Sequence, residues 1–181
     1  MDAPVLAVGP VRLEPFAERH FTPRYVAWLN DPETVRYSEQ RHHRRDLAGC
    51  RAYVDAMRGG GHLLWAIVAA TPEAGHVGNL SAHLDRPNRT ADIAILLGEA
   101  SARRRGFGRA ALSAACDWLL GAGGVRKVTA GTMAANAPFC AIARACGMHE
   151  EGRRRRHFLL DGDEVDLVMF ARFAQPPAAS G

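Results

Sequence analysis

RRRGFGRA, residues 103–110, joins a predicted strand, Thr90 to Gly98, to a predicted helix, Phe107 to Leu120. The helix is predicted because apolar side chains recur along one face of it. Glycine lets a backbone approach a ligand closely, and the first amides of a helix have no acceptor within the helix. The helix dipole and the arginines add positive charge at the same place. The stretch therefore predicts a loop that binds phosphate groups.

Two common phosphate loops fit these residues poorly. A Walker loop needs Gly-Lys-Ser or Gly-Lys-Thr, and the only lysine of the chain is Lys127. Residues 106–111 satisfy the dinucleotide pattern Gly-x-Gly-x-x-Ala, but seven residues separate them from the strand, where that motif needs a tight turn. Val125 to Met133, where the acid that binds the ribose is expected, holds no Asp or Glu. A purely structural interpretation, a helix start with solvated arginines, stays open.

Hydrophobic periodicity predicts a single α+β domain over residues 1–174, with a mixed, mostly antiparallel central sheet flanked by helices. Strands are predicted over residues 11–16, 63–70, 75–84, 90–98, 125–133, 154–160 and 164–173. Helices are predicted over residues 23–30, 46–58, 107–120 and 136–147. Asn30-Asp31-Pro32 is expected to break the chain, and Asp161-Gly162 predicts a hairpin turn. Residues 175–181 are expected to form a flexible tail.

The composition is typical of a globular protein. Hydrophobic residues make up 48% of the 181 residues and charged residues 23%, which excludes a fully disordered chain. The net charge is +4, and every basic residue except Lys127 is an arginine. This bias suits a phosphorylated ligand or a nucleic acid, and a GC-rich genome would also produce it. No apolar run is long enough to cross a membrane and no export signal precedes the domain, so we expect a cytoplasmic protein.

The four cysteines predict neither a metal site nor a disulfide framework. They lack paired Cys-x-x-Cys spacing and a histidine at zinc-finger distance. Cys140 and Cys146 lie on or beside the apolar face of a predicted helix, which favours core packing over covalent catalysis. We therefore expect reduced, buried thiols and no metal.

Arg103-x-x-Gly106-x-Gly108 resembles the acetyl-CoA pyrophosphate loop of the GNAT superfamily of N-acetyltransferases, whose pattern is Gln or Arg-x-x-Gly-x-Gly or Ala. The order of the surrounding elements is similar to that family, from Val11 to Phe173. Residues 147–152, Gly-Met-His-Glu-Glu-Gly, resemble the family's Gly-Phe-x-x-Glu-Gly. Residues 25–32 and the Asp161-Gly162 hairpin resemble the branch that contains ribosomal-protein N-terminal acetyltransferases, polyamine acetyltransferases and enzymes acting on nucleotide-linked amino sugars.

The resemblance implies acetyl-CoA as cosubstrate and a set of residues that bind it. Backbone amides near Leu96 and Leu97 would bind the acetyl carbonyl, and Asn136 would either orient the ligand or only cap its helix. The loop residues that would hold the pyrophosphate are Arg103, Arg104, Arg105, Gly106, Phe107, Gly108 and Arg109. Ala143 stands where many relatives carry a tyrosine that protonates the leaving thiolate, and Phe139 where many carry a serine. These two positions predict a site without the usual general acid.

Acetyl transfer to an amine needs a base more than an acid. A thiolate whose parent thiol has a pKa of about 8.5 leaves readily, whereas an ammonium with a pKa near 10 must first lose a proton. Asp92 is the first candidate base, because an acid in an apolar strand is costly unless it is paired or used. Glu99 and His83 are the next candidates. A strand-end Asp92 that only faces water is the alternative.

A small primary amine is the expected acceptor, with a nucleotide-linked amino sugar ranked before a protein N-terminus and a polyamine. An acidic acceptor cleft would favour the polyamine, and spare cations would favour the sugar nucleotide. Arg153 to Arg156 alternate in a predicted strand, so only two of them would share a face, and no nucleic-acid or membrane partner is expected. A homodimer and a CoA-binding module without catalysis stay open as alternatives.

Overall fold

Among the residues that the structure describes, eight strands form a single sheet in the order β1-β2-β3-β4-β5-β6-β8-β7. The structure is a computed structural model that describes residues 3–70 and 75–175. All neighbouring strands are antiparallel except β5 and β6, so the predicted α+β class with a mixed, mostly antiparallel sheet is confirmed. The strands are β1 Leu6–Val8, β2 Val11–Pro15, β3 Leu63–Ala69, β4 His76–Asp85, β5 Thr90–Leu97, β6 Lys127–Met133, β7 His149–Leu160 and β8 Asp163–Phe173.

Helices cover both faces of the sheet and begin at the residue types that cap helices. They are α1 Pro23–Asn30, α2 Pro32–Val35, α3 Leu47–Gly59, α4 Phe107–Leu120 and α5 Ala137–Ala145. Thr22 accepts a hydrogen bond from the Tyr25 amide at 3.1 Å, and Asp46 accepts one from the Gly49 amide at 2.7 Å. These caps satisfy amides that a helix leaves unpaired at its start.

The described part of the chain has two hydrophobic clusters, which lie on opposite faces of the sheet because successive strand residues point to opposite sides. The larger cluster packs α4 and α5 against the sheet and includes Trp65 and Phe170, which are fully buried. The smaller one packs α1 and α3 against the other face, with Trp28 and Val54 among its buried residues. An opening in the sheet is therefore bordered by α4 and α5 on one face and by α1 and α3 on the other.

Such an opening lies between β5 and β6. The parallel pairing joins only residues 90–92 of β5 to residues 127–129 of β6, and β6 then continues beside β8. Beyond Asp92 and Thr129 the two strands diverge. Within residues 3–70 and 75–175, the second half of β5 therefore has no hydrogen-bonded neighbouring strand on that side.

Three elements differ from the sequence-based expectation. Strand β1 was missed because it has only three residues. Asp31-Pro32 does end α1, but the same residues start α2, since Pro32 occupies its first turn and Asp31 accepts from the Thr34 amide at 3.0 Å. Strand β7 begins at His149 rather than Arg154, and a register shift between Arg154 and Phe158 breaks the alternation expected for the arginine run.

Residues 176–181 of the expected tail lie outside the described residues. No helix in the described part of the chain is long and apolar enough to cross a bilayer.

Candidate active site

A cleft of about 1100 Å³ fills the gap between β5 and β6 and continues to both faces of the sheet. One wall is residues 93–97 of β5, and the opposite wall is residues 131–133 of β6 together with Asn136 and Phe139. The start of α4 lines one end, and side chains from α1, α3 and β4 line the other. A long, narrow ligand could therefore pass through the sheet between β5 and β6.

The phosphate-loop prediction falls at the α4 end of the cleft. Gly106 precedes the helix with φ of 79°, a left-handed conformation that favours glycine. The first backbone bond of the helix joins the Ala110 amide to the Gly106 carbonyl at 2.9 Å, and among the described residues no side chain caps the helix. The amides of residues 107–109 are thus available to an anion at the positive end of α4.

The loop arginines differ in where they lie. Arg104 and Arg109 are exposed and line the cleft. Arg103 also lines it, and its Nη2 donates to Thr34 Oγ1 at 2.8 Å, which links the loop to α2. Arg105 stacks over the Phe107 ring at 5.0 Å and is not part of the lining. The sequence treats these four arginines alike, whereas the structure separates Arg105 from the others.

Gly108 is buried where α4 meets β5 and α5. A β-carbon there would lie 3.3 Å from Leu97 Cδ1 and 3.5 Å from Ile142 Cδ1. The missing side chain therefore serves the packing of the helix as well as the approach of a ligand. A large residue at this position would disturb both.

The backbone of β5 presents alternate residues to the gap. The Gly98 amide bonds to the Val77 carbonyl at 3.1 Å, and the register pairs Leu96 with Asn79. In an antiparallel ladder, hydrogen-bonded pairs alternate, so the backbone groups of Leu96 face β4 and those of Leu97 face the gap. Leu97 thus offers an amide to the cleft, and the expected amide of Leu96 points away from it.

Asn136 makes the contacts of a helix cap. Its Oδ1 accepts from the Phe139 amide at 3.3 Å, and its Nδ2 donates to Thr132 Oγ1 at 3.0 Å. The residue also lines the cleft. The capping role is present in the structure, and the ligand role stays a proposal.

The three candidate bases lie near the cleft without lining it. Asp92 is exposed and stands at the last position where β5 pairs with β6. Its carboxylate accepts a hydrogen bond from Thr129 Oγ1 at 2.8 Å. His83 lies opposite it on β4, where desolvation and the neighbouring His62 lower the pKa of its imidazole. The Glu99 carboxylate lies 3.7 Å from the Arg24 guanidinium. Asp92 and His83 are brought together, and Glu99 stands apart from them.

The end of the cleft on the α3 face has polar residues that the sequence analysis missed. Asn79 and Ser81 are buried on β4, and Tyr53 and Arg45 line the same end. Desolvation raises the pKa of the Tyr53 hydroxyl, which keeps it protonated at neutral pH. The signal was present, because polar and apolar residues alternate over residues 78–82. The alternation alone does not indicate which strand borders a cleft, so it did not identify these residues as part of the site.

Next to α2, at the rim of the cleft, acidic side chains are paired with arginines. Arg36 forms ion pairs with Asp161 and, at 3.8 Å, with Glu33. Arg41 Nη1 lies 2.8 Å from the Glu39 carboxylate. These pairs leave this rim without the excess of carboxylates that a polycation would need.

Ala143 and Phe139, where the resemblance leads us to expect a tyrosine and a serine, are buried and apolar. Ala143 is fully buried and Phe139 lines the cleft. Cys140 and Cys146 are buried, and desolvation raises the pKa of both thiols, which disfavours the reactive thiolate. The expectation of core cysteines agrees with this burial.

A family model described as the acetyltransferase (GNAT) domain matches residues 11–149. The match identifies the chain as an acetyltransferase. It belongs to the GNAT family, as the loop motif and the order of elements predicted. No curated protein sequence matches the chain closely enough to count as a relative.

Solved structures with the same fold include three acetyltransferases. A GNAT-family acetyltransferase from Bacillus anthracis is 14% identical with a TM-score of 0.80, and the match covers 95% of this chain and 99% of that one. Spermidine N-acetyltransferase from Vibrio cholerae, in complex with CoA and spermine, is 14% identical with a TM-score of 0.81 and coverages of 91% and 96%. Ribosomal-protein-alanine N-acetyltransferase from Brucella melitensis is 21% identical with a TM-score of 0.75 and coverages of 89% and 98%.

Proposed function

We propose that the chain transfers an acetyl group from acetyl-CoA to a primary amine by direct attack in a ternary complex. The observation that carries the proposal is the gap between β5 and β6, which joins the start of α4 to a polar cleft on the opposite face. A cosubstrate bound in the gap would meet an acceptor that enters from the α3 side. Neither a metal nor a covalent intermediate is needed for this reaction.

Acetyl-CoA fits the α4 end of the cleft. Its pyrophosphate would accept hydrogen bonds from the amides of residues 107–109, and Arg104 and Arg109 would add charge. Its pantetheine arm would follow the open edge of β5. The Leu97 amide would then donate to the thioester carbonyl and stabilise the negative charge that develops on it.

Asp92 is the proposed base, acting through a water molecule, because its carboxylate lies beside the cleft rather than within it. His83, directly opposite Asp92, is placed to take the proton onward. The thiolate leaves without a general acid, which accords with the buried Ala143 and Phe139. Glu99 remains a second choice because it lies beside Arg24.

The acceptor we favour is a small amine such as a nucleotide-linked amino sugar. The paired carboxylates of the rim and the presence of Arg45 argue against a polyamine, although a spermine-bound acetyltransferase has a similar fold. A protein N-terminus is the second candidate, supported by the likeness to a ribosomal-protein-alanine acetyltransferase. A CoA-binding module without catalysis is the alternative from another class, favoured by Ala143 and Phe139.

Calorimetric titration with acetyl-CoA and a CoA-release assay over a panel of amines test the proposal. The panel contains nucleotide-linked amino sugars, peptides with free N-termini and polyamines. Binding together with release of CoA that depends on one amine class would support transfer. Binding without turnover over the whole panel would favour the non-catalytic module, and absence of binding would contradict both.

A further inference from the structure

An irregularity at the start of β4 brings His76 and Asn79 to the same face of the sheet. Residues three apart in a regular strand point to opposite faces. Here β3 pairs Ile67 with Gly78 but Val68 with His76, so Val77 is an extra residue in the ladder. Such a bulge redirects the side chain beside it, and bulges are frequent next to active sites.

His76 is enclosed by aromatic rings and donates a hydrogen bond to Asn79. Its ring centroid lies 4.9 Å from that of His20 and 5.1 Å from that of Trp28. Its Nε2 lies 3.0 Å from the Gly78 carbonyl oxygen and 2.9 Å from Asn79 Oδ1. Because a carbonyl only accepts, Nε2 carries the hydrogen. Burial also lowers the pKa of His76 to about 4, which keeps the ring neutral.

The contact with His76 fixes the orientation of the Asn79 carboxamide. With Oδ1 facing His76, the Nδ2 group of Asn79 points the other way. Asn79 lines the cleft and is only 8% exposed. Among the described residues Nδ2 has no hydrogen-bond partner, and no side-chain polar atom there is both fully buried and unpartnered. Nδ2 is therefore an open donor on the cleft.

This donor lies on the side of the cleft where the acceptor would enter. Asn79 pairs with Ala66 of β3, which belongs to the cluster that α1 and α3 cover. The α4 helix packs on the opposite face. Asn79 of β4 pairs with Leu96 of β5. Leu96 is the neighbour of Leu97, whose amide faces the gap. A group that binds Nδ2 would thus lie close to the reacting amine.

We propose that Asn79, held by the positioning residue His76, selects amines that carry an oxygen acceptor on the carbon next to the amine-bearing carbon. The inference rests on the proposed function and defines its acceptor class. Amino sugars and α-amino carbonyl groups meet this requirement, and simple alkyl polyamines do not. A site built to donate to an oxygen discriminates against an analogue without it, because the buried donor is then left unpaired.

The test uses amine pairs that differ at one atom. The first pair is 1-methoxypropan-2-amine and 2-aminopentane, in which an ether oxygen replaces a methylene group. The second is 2-aminopropan-1-ol and 2-aminobutane, in which a hydroxyl replaces a methyl group. The value of kcat/KM is measured for each at saturating acetyl-CoA and corrected to the neutral amine. We expect the wild-type chain to prefer the oxygen-containing member by about tenfold or more.

Two variants assign the preference to Asn79. In Asn79→Leu the ratio within each pair should fall to about one, because the variant has no donor for the oxygen of the acceptor. Asn79→Asp, which offers His76 the same acceptor but no donor to the cleft, should lose the preference for the ether even if Asn79→Leu folds poorly. A uniform loss for both members of a pair would contradict selection by Asn79.

A third variant assigns the positioning role to His76. His76→Phe keeps an aromatic ring but cannot orient the carboxamide, so the ratio should fall about as far as in Asn79→Leu. The double variant should fall no further, since both changes remove one interaction. His157→Phe, at an exposed site on β7, is the matched control and should keep the wild-type ratio.

The outcomes separate the two proposals. Turnover of both members at equal rates by the wild-type chain would overturn the selection by Asn79 and leave acetyl transfer to amines standing. No turnover of any amine, with acetyl-CoA still bound, would overturn the proposed function and this inference with it. An unchanged ratio in His76→Phe would overturn the positioning role alone.

Discussion

Chemically identical side chains in the loop before α4 have different surroundings. Arg104 and Arg109 face the cleft, whereas Arg105 covers the Phe107 ring. A guanidinium contributes to anion binding only if it can reach the anion, so charge alone does not assign the role. Position relative to the cleft decides which arginine contributes to cosubstrate binding.

We expect Arg104→Ala and Arg109→Ala each to weaken acetyl-CoA binding by about tenfold. The expectation follows from the loss of one charge-assisted hydrogen bond, about 1.5 kcal/mol or more. Arg105→Ala is the matched control, since it removes the same charge from the same loop. Titration calorimetry measures the three affinities. Equal losses in all three variants would show that only the overall charge of the loop matters.

Asp92→Asn should lower kcat/KM about a hundredfold near neutral pH if Asp92 is the base. The defect should shrink toward pH 10, because the amine then loses its proton without help. His83→Ala and Glu99→Gln, assayed together with it, identify the base if the carboxylate of Asp92 is not used. A pH–rate profile of Asp92→Asn that overlays the wild-type profile would exclude Asp92 from the proton transfer.

At the scale of elements, close contact between the Gly98 backbone and the Trp28 ring fixes the position of β5. Trp28 of α1 packs directly over Gly98, where β5 ends, and a β-carbon at Gly98 would overlap the indole ring. The helix therefore needs glycine at this position to lie against the sheet. This contact holds the end of β5 where its open edge borders the cleft.

Gly98→Ala should destabilise the fold by about 1 to 3 kcal/mol, the usual cost of overpacking. Gly59→Ala is the matched control, because a β-carbon there meets nothing within 4 Å. The control should leave the stability unchanged or raise it slightly, since alanine favours a helix. Urea unfolding of the two variants measures the difference. An unchanged midpoint for Gly98→Ala would show that Trp28 moves aside at little cost.

His76, at the start of β4, should make the free energy of unfolding depend on pH. The pKa of His76 falls from 6.5 to about 4 on folding, mainly through desolvation. Because the unfolded chain then binds the proton more readily, the free energy of unfolding should decrease as pH falls from about 6.5 to about 4. The contribution is at most about 3 kcal/mol.

Urea unfolding at pH 7, 5.5 and 4.5 measures this effect, with His76→Phe as the comparison. Other groups, such as His20, whose pKa is also lowered by desolvation, act in both proteins. The difference between the two curves therefore reports the titration of His76 together with its interaction with the neighbouring His20. Parallel curves would show that the pKa of His76 is the same in the folded and the unfolded chain.

At the scale of the whole molecule, the two faces of the sheet have separate tasks. One face carries the α4 end that suits a phosphorylated cosubstrate, and the other carries the polar end with Asn79, Ser81 and Tyr53. The divergence of β5 and β6 joins the two through the sheet. Because the cleft runs through the core rather than over the surface, a bound ligand should stabilise the entire fold.

Thermal unfolding with acetyl-CoA, CoA, NAD and ATP tests this coupling. A ligand at a hundred times its dissociation constant adds about 2.7 kcal/mol to the free energy of unfolding. For a chain of this length the midpoint should rise by roughly 5 to 10 °C. We expect the shift with acetyl-CoA and CoA, and none with NAD at the same concentration. A larger shift with NAD would revive a dinucleotide site.

Much of the fold was predictable because local patterns specify it. The helix from Phe107 to Leu120 has the predicted bounds, since its apolar face and its flanking glycines are local signals. The α2 helix and β1 were missed because four and three residues are too few for a periodic signal. The bulge at Val77 was missed for a related reason, since only pairing with β3 creates it.

The sequence by itself determined the loop and the elements around it, because glycines, arginines and hydrophobic periodicity act within a few residues of each other. The family followed from the resemblance of the loop motif and from the match to the family model. Only the tertiary structure decided which groups meet at the cleft. The backbone direction of Leu96 and Leu97 depends on their register with β4, and the contact of His76 with Asn79 depends on a bulge. Such features arise from pairing between distant parts of the chain, which no short stretch of sequence encodes.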